Sequence, residues 1–235
     1  MKVTLIDSTE NPVEKLIFTK GTRLNMSASR MEDIENMTTE EKKAEIMYMI
    51  NTIKSSWEFV NFTFMIEGVS RAFTHQFVRN RQGSYAQQTM RILDVSGFDY
   101  VTGPGIKTEY QKDLYKDAME SIQASYNDLI SSGVPIEDAR GILPTNICTN
   151  IVAQFNLRTL SDMFISRSSS RTQGEFRDVI EAMYQAIVTA HPWAELFLRD
   201  NKFAAAKSLE STIHDRFDGT DQLIPLIKLL DVLRK

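Results

Sequence analysis

Hydrophobic positions recur along this chain with two spacings, one suited to strands and one to helices. Val3 and Leu5 alternate, with Ile6 beside them, which is the period of a half-buried strand. The polar run Asp7-Ser8-Thr9-Glu10-Asn11-Pro12 closes it with residues that favour turns. Val13 to Leu24 then reads as a helix, whereas Met31 to Asn36 is charged and weakly patterned and predicts a surface connection. Thr38-Thr39-Glu40-Glu41 predicts a helix start, a Thr cap followed by carboxylates where the helix dipole favours them. Ile46, Met49, Ile50 and Ile53 continue that helix. Phe59 to Ile66 has strand composition, and Val69 to Val78 has helical spacing through Ala72, Phe73 and Phe77.

Further along, Gln111 to Ser131 predicts an amphipathic helix with Leu114, Ala118, Ile122, Leu129 and Ile130 on its buried side and Gly133 to stop it. Pro135 and Pro144 bracket a short helical piece ending near Arg140. Asn146 to Phe164 and Thr172 to Ala190 predict two long helices, the second with Phe176, Ile180, Met183 and Ile187 as its core stripe. Ile224, Ile227, Leu230, Val232 and Leu233 predict a C-terminal helix. The Met and Phe stripes read as core rather than as cofactor boxes. There is no internal repeat, and the coarse expectation is a helix-rich α+β fold.

Composition narrows the function classes. With 235 residues, 26.9 kDa, 42% hydrophobic and 25% charged positions, the chain suits a folded globule, most simply one domain over 1–235. Its net charge of −4 and pI of about 5.5 argue against a globally basic nucleic-acid wrapper. One cysteine, Cys148, excludes an intrachain disulfide framework and a Cys-rich zinc site and fits a reducing compartment. There is no run of about 18 uninterrupted apolar residues, and the N-terminus reaches Asp7 too soon for a secretory signal. The expectation is a cytoplasmic protein without a membrane or nucleic-acid partner.

Between Gly68 and Leu93 there is no Asp or Glu, yet the stretch holds Arg71, Arg79, Arg81 and Arg91, interleaved with Gln76, Gln82, Ser84, Gln87, Gln88 and Thr89. Guanidinium forks suit phosphate oxygens, and neutral donors complete an anion's shell or read a base edge. The alternative is a solvated basic face or ion pairs to distant carboxylates. A second concentration runs from Arg140 through Arg158, Arg167 and Arg171 to Arg177; two such segments can converge on one polyanion, although spacing alone does not establish that. Other templates fail. Phosphate-binding Gly-rich loops are absent. His75, His191 and His214 form no His-x-x-x-His ligand pair. Cys148 has no neighbouring base in sequence and reads as an inert buried thiol rather than a nucleophile.

The run Arg79-Asn80-Arg81-Gln82-Gly83-Ser84-Tyr85-Ala86-Gln87-Gln88-Thr89-Met90-Arg91 resembles the signature of the flavin-dependent thymidylate synthases, Arg-His-Arg-x-x-Ser-x-x-x-x-Ser-x-Arg. Phe62-Thr63-Phe64, Glu67 to Phe73 and His75-Gln76 before it, and Ala139-Arg140, Leu143-Pro144, Asn156, Arg158, Arg167, Gln173 and Glu175 after it, also resemble that family in order and spacing, over roughly residues 1–200. The resemblance implies a homotetramer of α+β subunits with a small, mostly antiparallel sheet, in which subunits jointly build each site. It implies FAD reduced by NADPH and transfer of a carbon from methylenetetrahydrofolate to C5 of dUMP, with no enzyme nucleophile.

By position, the resemblance places Gln76, Arg79, Gln87, Gln88, Thr89, Met90 (backbone only), Arg91, Arg140 and Arg167 around dUMP, with Arg91 and Arg140 at the phosphate. Arg167 matches the catalytic arginine that stabilises negative charge on the uracil ring. Ser55, Glu58, Arg79, Asn80, Arg81, Asn156, Arg158 and Asp162 fall on flavin-contact positions. Four features depart from the family pattern: Asn80 replaces a His, Thr89 a Ser, Asp162 an Asn, and Ile53 and Phe59 stand where two histidines are usual. Three missing histidines near a flavin leave open a sister enzyme that transfers another group, such as hydroxymethyl, or a nucleotide-binding protein without catalysis.

Overall fold

Alternation of burial defines the centre of the molecule. In the computed structural model, Phe62, Phe64 and Ile66 on strand β2 (Asn61–Ser70) and Thr149, Ile151, Ala153 and Phe155 on strand β4 (Cys148–Asn156) are buried, with half-exposed or exposed residues between them. One face of the sheet is thus core and the other is open. The structure describes residues 1–24, 30–52, 54–167 and 174–198, with 209, 212–213, 216–217, 220 and 222–233. Ile53, Arg171, Thr172, Gln173 and His214, singled out above, lie outside the described residues.

The sheet has four strands in the order β1-β2-β4-β3, all neighbours antiparallel. β1 is Lys2–Ser8 and β3 is Ser84–Gln87. Register slips between Ile66 and Val69, where Gly68 takes φ 65° and donates its N–H to Asn150 Oδ1 at 3.0 Å. A side chain at that φ would be strained, which suits glycine at the bulge.

Helices cover the buried face. α1 (Pro12–Leu24), α2 (Met31–Glu35) and α3 (Thr39–Thr52) lead to a 3₁₀ turn over Lys54–Phe59. α4 (Arg71–Phe77) follows β2 directly, α5 (Glu109–Ser131) and α6 (Ile136–Ala139) precede β4, and α7 (Leu157–Arg167) continues from it. α8 (Gly174–Ala190) lies against β1 and β2; α9 (Glu195–Leu198) and α10 (Leu223–Leu233) follow. The expected stripe of α8, Phe176, Ile180, Met183 and Ile187, is buried. Those side chains contribute about 1.5–3 kcal/mol each by leaving water.

Several expectations are corrected. Cys148 to Asn156 is a strand rather than the start of a long helix: its burial alternates with period two, and only the α7 part of the expected helix is helical. Met31–Glu35 is a helix that buries Ile34, not a bare surface connection. Phe59 belongs to the 3₁₀ turn and is 56% exposed, so the strand starts at Asn61. Val69 and Ser70 finish β2 and the helix starts at Arg71. The short edge strand β3 was not anticipated. On α5 the phase is different: Met119 and Tyr126, seven residues apart, are the buried positions, while Leu114 and Ala118 are exposed. Apolar residues occur on two sides of that helix: the side of Met119 and Tyr126 is buried, and the side of Tyr110 and Leu114 is left in solvent.

Candidate active site

The polar residues of interest collect at two ends of β4. At its N-terminal end, Gln88 is stitched to the strand: its N–H donates to Asn150 O at 3.0 Å and its side-chain oxygen accepts from Asn150 N at 3.3 Å. Gln87 donates its amide to Thr74 Oγ1 of α4 at 2.9 Å. Arg71, the first residue of α4, donates to Gln88 O at 3.3 Å. Ser70 caps this helix, its Oγ accepting from Phe73 N at 3.0 Å while its own N–H and O–H donate to the Glu175 carboxylate at 2.7 and 2.5 Å. Glu175 thereby ties α8 to the start of α4.

Arg91 and Arg140 meet on one residue. Arg91 Nε lies 3.3 Å from Glu137 Oε2, and Arg140 Nε donates to Glu137 O at 3.1 Å. Burial, and then the charge of Arg140, holds Arg71 below the ordinary arginine range. One residue of each arginine-rich segment, Arg91 and Arg140, thus meets the other on Glu137, whereas Arg158 pairs with Glu58 and Arg167 lies at Phe176. Thr89 accepts from Arg91 N at 3.1 Å, and Met90 is half-buried between them.

At the opposite end, a cavity of about 360 Å³ is lined by Asn80, Arg81, Gln82, Thr159, Asp162, Met163 and Ser166. Asn80 donates its amide to Phe77 O at 3.0 Å and to Met163 Sδ at 3.5 Å, and Thr159 donates to Gln82 Oε1 at 3.1 Å. Tyr85 braces this wall: its hydroxyl donates to Asn80 O at 2.7 Å and Phe77 O at 3.1 Å, and burial pushes its pKa up to about 12. Gly83 makes the turn possible, since a Cβ there would sit 2.4 Å from the Phe155 ring and 2.8 Å from the Tyr85 hydroxyl. Asn156 accepts from Thr159 N at 2.8 Å, capping α7. Arg158 pairs with Glu58 at 2.6 Å.

The remaining expected positions are more dispersed. Gln76 and Arg79 are exposed at the end of α4. Ser55 accepts from Arg23 of α1. Arg167 ends α7 with its guanidinium 5.1 Å from the centroid of the Phe176 ring, a cation–π contact. Cys148 is half-buried rather than buried; burial, and then Asp99, raises its pKa, so the thiol stays protonated at neutral pH. Sequence reasoning missed the cavity residues Thr159, Met163 and Ser166, and had Gln82 only as a neutral donor among the arginines. The signal of the three was present only as positions adjoining the motif residues Arg158, Asp162 and Arg167. Among the described residues, no cluster of three or more His, Cys, Asp or Glu side chains could hold a metal, and no helix is long and apolar enough to cross a membrane.

Residues 4–193 match the family model described as thymidylate synthase complementing protein. The chain is 33% identical over 211 residues to a protein of Clostridium tetani (strain Massachusetts / E88) named flavin-dependent thymidylate synthase, covering 82% of this chain and 84% of that one. A protein of the same name from Pyrococcus furiosus is 34% identical over 194 residues, 79% of this chain and 78% of its own. Another, from Sulfurisphaera tokodaii, is 34% identical over 173 residues, with 71% and 67% covered.

Proposed function

This chain belongs to the thymidylate synthase complementing protein family, whose members include the flavin-dependent thymidylate synthases, and from that premise we propose that it reductively methylates dUMP to dTMP. Methylenetetrahydrofolate is the carbon donor, and the enzyme acts in the cytoplasm. The observation that carries this reading is the sorting of side chains to the two ends of β4: an anion-binding set with Arg91 and Arg140 at one end, a polar cavity with Asn80, Arg81 and Asp162 at the other.

The donor set of the cavity fits a flavin. The Arg81 guanidinium supplies charge for a diphosphate, and Thr159 and Ser166 supply hydroxyls for the polar edge of a ring system. Arg158, Glu58, Asn156, Ser55 and Arg79 would complete the flavin contacts from neighbouring turns. FAD, once reduced by NADPH, would supply the hydride, so that the folate leaves as tetrahydrofolate.

The chain's own residues bind and orient. Arg91 and Arg140 hold the phosphate, while Gln87, Gln88, Thr89, Gln76 and the Met90 backbone surround the sugar and base. Arg167 stabilises negative charge on the uracil ring, and its cation–π contact with Phe176 holds the guanidinium beside α8. Cys148 stays out of the chemistry, because a protonated thiol is a poor nucleophile. Asn80 keeps a donor where the signature has His, and its amide shapes the cavity wall.

Asn150 and Asn156 are six residues apart on one strand, a span of about 20 Å at ~3.4 Å per residue. This separation fits the homotetramer that the family resemblance implies, in which each site draws its nucleotide set and its flavin set from different subunits. The core runs from Leu16 of α1 to Leu198 of α9, which supports one domain over that part of the expected 1–235.

The test is direct. The purified protein should show flavin absorbance, and incubation with dUMP, methylenetetrahydrofolate and NADPH should yield a product with the mass of dTMP. A hydroxymethylated product, or no product from flavin-loaded protein, would overturn the assignment.

A further inference from the structure

Arg71 has no role in the scheme above, yet it stands inside the anion-binding set. Its backbone is fixed twice over: its N–H donates to Ile147 O at 3.1 Å, and the preceding residue is the Ser70 cap held by Glu175. Its side chain donates to Gln88 O at 3.3 Å. Among the described residues that is its one side-chain hydrogen bond, and neither Arg71 nor Arg140 forms an ion pair with a carboxylate. Most of the five-donor fork of Arg71 is therefore uncommitted. Gln88, which accepts from Arg71, stands three residues before Arg91, and Arg91 shares Glu137 with Arg140, so the Arg71 fork is tied to the turn that carries the other two guanidiniums. Like charges gathered there repel, and a dianion bound among them reverses the sign of that interaction.

We propose that Arg71 is a third guanidinium of the phosphate-binding end of the nucleotide site, and that it sets the preference for a monophosphate over the neutral nucleoside. The inference rests on the nucleotide-binding reading above. Glu175 forms no ion pair with Arg71 among the described residues; its two carboxylate oxygens accept from Ser70. Gln88 links the two functions: its carbonyl orients the Arg71 fork, and its side chain and N–H are fixed to β4. Phosphate recognition is thus anchored to the sheet rather than to a loose surface side chain.

Equilibrium titrations of dUMP, deoxyuridine and inorganic phosphate into wild-type, Arg71→Gln and Arg71→Lys protein test this. In Arg71→Gln the ratio of dUMP to deoxyuridine affinity should fall about 10- to 100-fold, as expected for losing hydrogen bonds to a charged group. Deoxyuridine affinity should stay within about twofold, which a merely structural loss would not spare. Arg71→Lys should lie between, as a point charge without the fork. An unchanged ratio in a folded Arg71→Gln protein, or in Arg71→Lys if that alone folds, would overturn the role of Arg71. Equal losses for both ligands would overturn it too. Wild-type protein that binds phosphate but not dUMP would instead overturn the nucleotide assignment, and the loss of phosphate binding in Arg71→Gln then decides the present inference. Wild-type protein that binds none of the three overturns both.

Discussion

Replacing Tyr85 with Phe removes one hydroxyl and leaves the ring in its edge contacts with Phe77 and Phe155, whose centroids lie 5.7 and 5.6 Å away. The two carbonyls that accept from that hydroxyl are not orphaned. Asn80 O still accepts from Gly83 N at 3.1 Å, and Phe77 O still accepts from Asn80 N at 3.2 Å and from the Asn80 amide at 3.0 Å. The cost is therefore that of one net hydrogen bond, about 1 kcal/mol, without the larger penalty of a bare buried acceptor. For a chain of this length that corresponds to a fall in Tm of about 2–4 °C. The alkaline limb provides a second check. The Tyr85 pKa is raised to about 12 in the folded protein, against about 10 unfolded. The stability it contributes is whole below about pH 10 and is lost as pH rises through the folded value. Denaturation curves of the two proteins should therefore draw together between about pH 10 and pH 12, the other tyrosines titrating in both. A loss above about 3 kcal/mol at neutral pH would refute the hydrogen-bond accounting, and a gap constant up to pH 12 would refute the buried state of the phenol.

Gly83→Ala should destabilise by about 1–3 kcal/mol through overpacking against Phe155; unfolding at the wild-type denaturant midpoint would contradict it. Glu137→Gln removes the carboxylate beside Arg91 and should tighten dUMP binding up to about fivefold, since the exposed pair is worth at most about 1 kcal/mol; calorimetry showing weaker binding would count against the site. Arg167→Lys should lower turnover at least about 100-fold, with flavin content little changed; single-turnover flavin oxidation at the wild-type rate would remove the proposed role. Burial lowers the His191 pKa, and its Nε2 lies 3.0 Å from Ser8 Oγ. Its contribution is present above the unfolded value of about 6.5 and is lost as pH falls through the lower folded value. Equilibrium denaturation should accordingly show a shallower acid limb for His191→Gln.

The helical stripe of α8 and the capped start of α3 were legible because their periods and caps are local. Thr38 and Glu41 bond one another as the sequence suggested, with Thr38 N donating to Glu41 Oε2 at 2.7 Å. β4 was misread because its Ile151, Val152, Ala153 and Phe155 also satisfy a helical count, and its strand state depends on pairing with β2 some ninety residues earlier. That contact is tertiary, and no window of the sequence contains it. Of the candidate site, the family resemblance grouped Arg91 with Arg140 and Asn80 with Arg81 and Asp162, whereas the contacts that hold each group in place were not legible. That Arg71 donates to Gln88, and that Glu137 bonds both Arg91 and Arg140, depends on how α4, α6 and the turn after β3 pack.

The nine residues of β4 act as a ruler between the two polar groupings. One residue inserted within it would turn every later side chain to the opposite face, sending Phe155 out of the core and moving the cap of α7. Two inserted residues would restore the faces but lengthen the span by about 7 Å. The stretch from 102 to 108, outside any helix or strand, has no such register to keep. Length differences among relatives should therefore accumulate there and at the ends of α5, while the strand itself keeps its length even where its side chains change.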